Sequence, residues 1–356
     1  LLSLLYKLNK KDLGLSNLFL SSNNTFYFKS SMPLQNIFKF DKKFKFTEIK
    51  IKSQINLKKA KYKLDSLNLE NYLDNYNGFL ELNDHIIDLD FNNKNLSIKG
   101  KGKFIIDNKS DKIDYSLNFK NGDYDFKTEI QFKNNPLKFE ILDYKKSKNK
   151  NSILNIDGVY KKDKSIDFKN ISFEESKNKL SIKDLNLSNN YKFNYVKHLN
   201  LDFINESNKQ NKITLRKNKA NYEIFGKTFD CTILIDKMLL NGSKKGFSNY
   251  LNNFSSPFKI KIDQAYTDNV FYLDNLSGNF KLEKNDIVDL NLAGNFNNNK
   301  KLTFTIKTNG NNEKITTIFS EYAKPLAQRY KFIKGFDDGI LDFYSTKKNN
   351  ISKSQL

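Results

Sequence analysis

Few side chains in this 356-residue sequence could do chemistry, and their spacing is wrong for most of it. Asp84, Asp88 and Asp90 are close enough to suggest a cation, but a calcium loop needs further oxygen ligands and a closing Glu, which are missing. They read as a solvated turn and strand. Cys231 is the single cysteine. It can form no disulfide within the chain, and neither His85 nor His198 stands in a motif that would make it the base for a nucleophilic thiol. Cys231 therefore reads as a small core residue. Gly100-Lys-Gly102 and Gly226-Lys-Thr228 are too short to be phosphate loops, and no GxGxxG, GxSxG, HExxH or CxxC is present. The expectation is a protein that is not an enzyme and carries no cofactor or metal.

What the sequence does contain is strand. Ile113, Tyr115, Leu117 and Phe119 alternate with polar residues, and so do Tyr124, Phe126, Ile130 and Phe132. Period two puts every apolar side chain of such a run on one face. A sheet with one wet face is expected to be antiparallel, and pairs such as Asn121-Gly122 and Asp157-Gly158 supply hairpin turns. A second pattern has a three-residue step at its centre, as at Phe46/Ile49, Phe168/Ile171 and Ile182/Leu185. A bulge or bend at each step would bring both halves back to one face and coil the sheet. The predicted fold is all-β dominant: a long, twisted antiparallel sheet forming a groove, with one or two short helices. Ser66–Tyr76 and Lys245–Phe254 are weak helical candidates. Phe229-Asp-Cys-Thr-Ile-Leu-Ile235 reads as strand. A soft boundary near residue 225 gives regions 1–225 and 226–356.

The net charge is +21, from 61 basic and 40 acidic residues, yet only Arg216 and Arg329 are arginine. Lysine is a hydrated point charge, whereas arginine is the better fork for phosphates and bases. The lysines are interleaved with strand residues, which suits a solvated face that resists edge pairing or attraction to anionic headgroups. No nucleic-acid motif accompanies them, and no nucleic-acid partner is expected. The apolar start LLSLLYKL is far shorter than the ~20 residues a spanning helix needs.

Near the C-terminal end the period changes. Ile318, Phe319, Tyr322, Ala323, Leu326, Ala327 and Tyr330 fall at helical spacing, with Pro325 placed to kink that helix or start a new one. Strand resumes at Ile340–Tyr344. This stretch resembles the C-terminal region of the AsmA-like envelope proteins, the group that includes AsmA, TamB and YhdP relatives. Ser320, Ala323 and Leu326 match its Ser-x-x-Ala-Gly-x-Leu helix, Gly335 and Gly339 its glycine loop, and Leu341 its closing strand. Lys324 stands where the family has Gly, and Asp338-Gly339 where it has Gly-Gly. Leu276–Leu282, Leu290–Gly294 and Leu302–Ile306 agree with the pattern upstream.

The resemblance implies a periplasmic piece of a longer protein, anchored to the inner membrane by a segment outside this sequence. It implies phospholipid transport between inner and outer membranes and outer-membrane homeostasis, with phospholipids and the two membrane surfaces as partners. Ile113, Tyr115, Leu117, Phe119, Tyr124, Phe126, Ile130 and Phe132 are the candidate groove-lining residues. The alternative is a non-enzymatic structural or assembly protein, whose apolar faces would be closed on each other.

Overall fold

The computed structural model describes residues 34–40, 46–63, 69–74, 76–93, 95–147, 149–239, 253–330, 338–348 and 351–355. The expected Lys245–Phe254 helix (all but its last two residues), Gly335 and the start of the Ser66–Tyr76 candidate lie outside these. Among the described residues the chain is all-β dominant, built of twisted, open sheet with two short α-helices. It divides into two compact units, residues 1–138 with 146–162, and 139–145 with 163–356. Residue 225 falls inside a strand of the second.

The first unit is a meander of β1 (Leu34–Phe40), β2 (Phe46–Lys63), β3 (Phe79–Asn92), β4 (Asn95–Ile106), β5 (Lys109–Lys120) and β6 (Asp123–Phe132). In sequence β7 (Lys138–Phe139) and β8 (Tyr144–Lys145) follow, residues 139–145 belonging to the second unit, and β9 (Ser152–Lys161) then returns beside β6. Each strand lies antiparallel to its neighbour. Leu69–Asn71 forms a single 3-10 turn.

The second unit contains β10 (Ser165–Glu175), β11 (Asn178–Ser188), β12 (Phe193–Ile204), β13 (Gln210–Asn218) and β14 (Asn221–Asp230). Helix α1 (Thr232–Leu239) follows, then β15 (Ser256–Tyr266), β16 (Tyr272–Glu283), β17 (Asp286–Phe296), β18 (Lys301–Thr308) and β19 (Lys314–Ser320). Helix α2 (Lys324–Tyr330), β20 (Leu341–Lys348) and β21 (Ile351–Gln355) close the described chain. Within the second unit's described strands the expected antiparallel pairing holds except at one place: β15 lies parallel to β14. A parallel neighbour needs a crossover, and α1 begins that connection.

Two expectations are corrected. Ile315–Ser320 is strand and not the first half of a helix, because β-branched Ile-Thr-Thr-Ile favours the pleated conformation. Helix α2 starts afresh at Lys324, and Pro325 sits in its first turn, where a missing N–H costs nothing. Conversely, the strand expected through Ile235 ends at Asp230. The Asp230 carboxylate accepts hydrogen bonds from the Thr232 N–H at 3.0 Å and its hydroxyl at 2.5 Å, and α1 begins there.

The three-residue steps are bends, as expected. Thr47 is the extra residue where Lys39 opposes Glu48 and Phe40 opposes Phe46. At the second step Lys169, Asp184 and Lys197 drop out of the pairing together across β10, β11 and β12. Asp184 takes φ +52°, and its carboxylate lies 3.4 Å from the Lys197 ammonium. Asp84 (φ +52°) and Asn275 (φ +53°) mark similar irregularities in β3 and β16. Asp and Asn tolerate the left-handed region because their short side chains bond locally.

Candidate functional site

In the first unit the register gathers the candidate groove residues onto one face of β5 and β6. Ile113 opposes Ile130, Leu117 opposes Phe126, and Phe119 opposes Tyr124. The rows continue sideways. Leu89, Ile98, Leu117 and Phe126 are consecutive partners across β3 to β6, all half-buried. Ile113, Tyr115, Phe119 and Ile130 are half-buried too, whereas Tyr124 and Phe132 are buried. Tyr124 is enclosed by Phe119 and Tyr160, and Phe132 meets Phe104 edge-on at 5.6 Å. These two therefore belong to the packed margins, with Phe119 beside Tyr124, and the other five to the half-open middle.

The opposite face of the same strands is polar. A depression of about 590 Å³ there is lined by Asp88, Lys99, Lys101, Asp114, Lys127 and Glu129, charges of both signs in cross-strand rows. Asp88 and Asp90 lie on this outer side of β3, while Asp84 sits at the bend beside Lys103. Among the described residues, no group of three His, Cys, Asp or Glu could hold a metal ion.

The second unit carries a longer version of the apolar face. One row runs through Ile171, Ile182, Leu199, Leu215 and Ile224, taking one residue from each strand β10 to β14. It continues through Ile260, Gly278, Leu292, Phe304, Ile318 and Phe343 on β15 to β20. Every member is half-buried. At ~4.8 Å per strand, ten steps make a track of about 48 Å.

Both flanks of this track are closed. On one side Leu201, Ile213, Ile262, Phe296 and Leu341 are buried. Tyr322 packs against Phe271 and Phe296, and Tyr144 against Phe173 and Phe203. The Tyr144 hydroxyl donates to the Glu175 carboxylate at 2.5 Å, and burial followed by that bond pushes its pKa up. On the other side Val196, Tyr222 and Phe258 are buried, with Tyr222 stacked on Phe258 at 5.0 Å and Phe258 on Phe280 at 4.4 Å. A half-open apolar strip between two packed margins is the arrangement found.

The motif residues near the C-terminal end meet at the first margin. Ser320, fully buried, opposes Leu341 across β19 and β20, and its hydroxyl donates to the Tyr322 carbonyl at 2.7 Å. The Ala323 N–H donates to the Gly339 carbonyl at 2.9 Å, and Leu326 is half-buried within α2. Arg329 ties α2 to α1, donating to the Thr232 carbonyl at 2.9 Å, to Asp236 at 2.7 Å and to the Thr267 carbonyl. Cys231 lies at the junction of β14 and α1, where burial and the neighbouring Asp230 carboxylate push its thiol up to about 12. A thiol so protonated is no nucleophile at neutral pH. Burial alone would raise the Asp230 pKa, but hydrogen bonds from Thr232 and Asn205 and the Lys209 ammonium at 3.3 Å hold it below the usual carboxylate range.

One polar pair interrupts the apolar face of the first unit. The rings of Tyr115 and His85 occupy the space that a Cβ would take on Gly100 and Gly102. His85 is 1% exposed; its Nε2–H donates to the Lys103 carbonyl at 2.9 Å, and Nδ1 faces the Tyr115 hydroxyl at 3.4 Å. Burial lowers the His85 pKa below 6.5, opposed by the Lys103 bond and the Asp84 charge. The unfolded chain therefore takes up a proton near pH 6.5 that the folded chain accepts only at lower pH. Stability should fall as the pH drops from about 6.5 toward the folded value. Urea midpoints at about pH 7.5 and about pH 5.5 should show a steeper decline for the native chain than for His85→Gln. Equal declines would mean that this imidazole is not responsible.

Alternation within single strands had pointed only to β5 and β6, because those runs contain no bend. The longer row is concealed by the bends and by the parallel junction, and its signal is the apolar-x-apolar-x-x-apolar-x-apolar step. Among the described residues no helix is long and apolar enough to cross a membrane. No family model, curated protein or solved structure matches the chain.

Proposed function

We propose that the chain is a periplasmic segment of an AsmA-like envelope protein that holds phospholipid acyl chains on its apolar sheet face as they pass between the inner and outer membranes. The observation that carries this reading is the half-open row from Ile171 to Phe343. A core row in a closed sandwich would be buried like its flanks. This one keeps apolar surface available, and its ~48 Å length is about three times the ~15 Å depth of one leaflet's acyl layer. Each CH₂ moved from water onto such a surface is worth about 0.8 kcal/mol. Transfer along it requires no catalytic group, only an uninterrupted apolar track. The meeting of Ser320, Ala323, Gly339 and Leu341 supports the family assignment, since it gives these positions one local structural role.

The test is mass spectrometry of organic extracts of the chain purified in mild detergent from a Gram-negative host. Stoichiometric phospholipid is expected, and it should be lost when Phe126 and Ile130 are changed to Asp together with Leu199 and Ile224. Circular dichroism should still report strand in that variant. A lipid-free, monodisperse native chain would overturn the reading and favour a structural or assembly role.

A further inference from the structure

We infer that Lys217 is the contact for the phosphodiester of a bound glycerophospholipid, so that headgroups stand at the Tyr222 margin of the second unit's sheet while acyl chains lie on the neighbouring half-open row. This rests on the lipid-binding reading. By register, three charged side chains among the described residues of β10 to β19 fall on the apolar face: Glu175, Lys217 and Lys314. Two have polar partners. Glu175 accepts the Tyr144 hydroxyl, and Lys314 holds Asp286 at 2.8 Å. Lys217 has no carboxylate partner among the described residues. Its ammonium instead lies 4.7 Å from the Tyr195 ring and 5.9 Å from the Tyr222 ring, and the residue is half-buried.

An ammonium with no carboxylate beside it can still be paired by an anionic group of a ligand. The rings fix its position through cation–π attraction but leave its hydrogen-bond donors unspent. Lys217 opposes Tyr222, and Leu215, two residues along β13, is a member of the half-open row. Two residues of strand span about 6.6 Å. A phosphodiester at Lys217 therefore places the start of an acyl chain beside Leu215 and Ile224. Among the described residues the opposite margin offers no equivalent: Lys209 is committed to Asp230 at 3.3 Å and to the Asp268 carbonyl at 2.7 Å, and Lys300, over the Tyr322 ring, to Asp338 at 3.0 Å.

The test compares water-soluble dioctanoyl phosphatidylglycerol with dioctanoylglycerol, which has the same tails and no phosphate, and with glycerol phosphate, which has no tails. Calorimetric titrations use the whole chain. Lys217→Gln should bind phosphatidylglycerol about tenfold more weakly, as the loss of a charge-assisted hydrogen bond requires, and bind dioctanoylglycerol as before. Lys217→Arg should restore most of the difference. Unchanged phosphatidylglycerol affinity in Lys217→Gln, with both lipids still binding, would overturn the assignment of Lys217 and leave the lipid reading standing. Failure of both lipids to bind the native chain would overturn both. Glycerol phosphate binding as tightly as the lipid would identify a site for free phosphate and overturn the headgroup assignment.

Discussion

Gly278→Ala is expected to detach the C-terminal strands of the second unit, at a cost of more than about 3 kcal/mol. Gly278 has φ +153°, a backbone conformation that residues with a side chain rarely adopt. A Cβ built there would stand 1.9 Å from the Asn291 carbonyl oxygen and 2.9 Å from the Leu292 Cα. Both obstacles are backbone, so no rotamer change relieves them. Gly278 pairs with Ile260 on one side and Leu292 on the other, so relief requires β16 and β17 to part. Limited proteolysis should release fragments beginning beyond β16 from the variant and not from the native chain. Gly310→Ala is the control, because its added methyl meets nothing within 4 Å. If the two variants resist protease equally, the close approach of β16 and β17 is not what the geometry indicates.

Asp111→Ala should cost the first unit about 3 kcal/mol. The carboxylate is 4% exposed and organises the loop after β6. One oxygen accepts the N–H groups of Lys133 and Asn134 at 2.8 and 2.9 Å; the other accepts the N–H of Asn135 at 2.8 Å and its side-chain amide at 2.9 Å. Asn135 is itself 1% exposed, so its groups could not turn to water without opening the loop. Removing the acceptor strands several donors at once, which is costlier than losing a single exchanged hydrogen bond. Hydrogen exchange at residues 133–135 should rise sharply in the variant, and the urea midpoint of the first unit should fall with an unchanged slope. Protection at Asn135 that survives the substitution would show that the carboxylate is replaceable.

The strands were legible because apolar and polar residues alternate, and the bends because that alternation slips by one residue at defined points. Lys169, Asp184 and Lys197 show why the slip carries meaning: it occurs in register on three adjacent strands, so one face is kept across all of them. Three features were not legible. Helix α1 was hidden because Cys-Thr-Ile-Leu-Ile is apolar enough for either period, and only the Asp230 cap decides. The strand at Ile315–Ser320 was hidden because its apolar residues also fit a helical spacing with those of α2. The Lys217 position depends on the Tyr195 and Tyr222 rings of the strands on either side of β13, a juxtaposition that local pattern does not show. Of the candidate groove residues, Tyr124 and Phe132 could not be told from their neighbours in sequence, because burial at a margin is set by Tyr160 and Phe104 on other strands.

The parallel pairing of β14 and β15 also bears on how the chain assembles in time. Within each unit nearly every other strand joins the one just made, closing a short loop, and contacts of low sequence separation form quickly. Strands can be added in the order in which they are synthesised. At β14 that rhythm stops: the next strand must wait for a connection that carries α1 back to the starting end, which costs more loop-closure entropy. During that pause the edge of β14 is unpaired and open to a wrong strand. The slow step of folding in the second unit should therefore lie at this seam, and early chain arrest should leave β10 to β14 folded with β15 to β20 waiting.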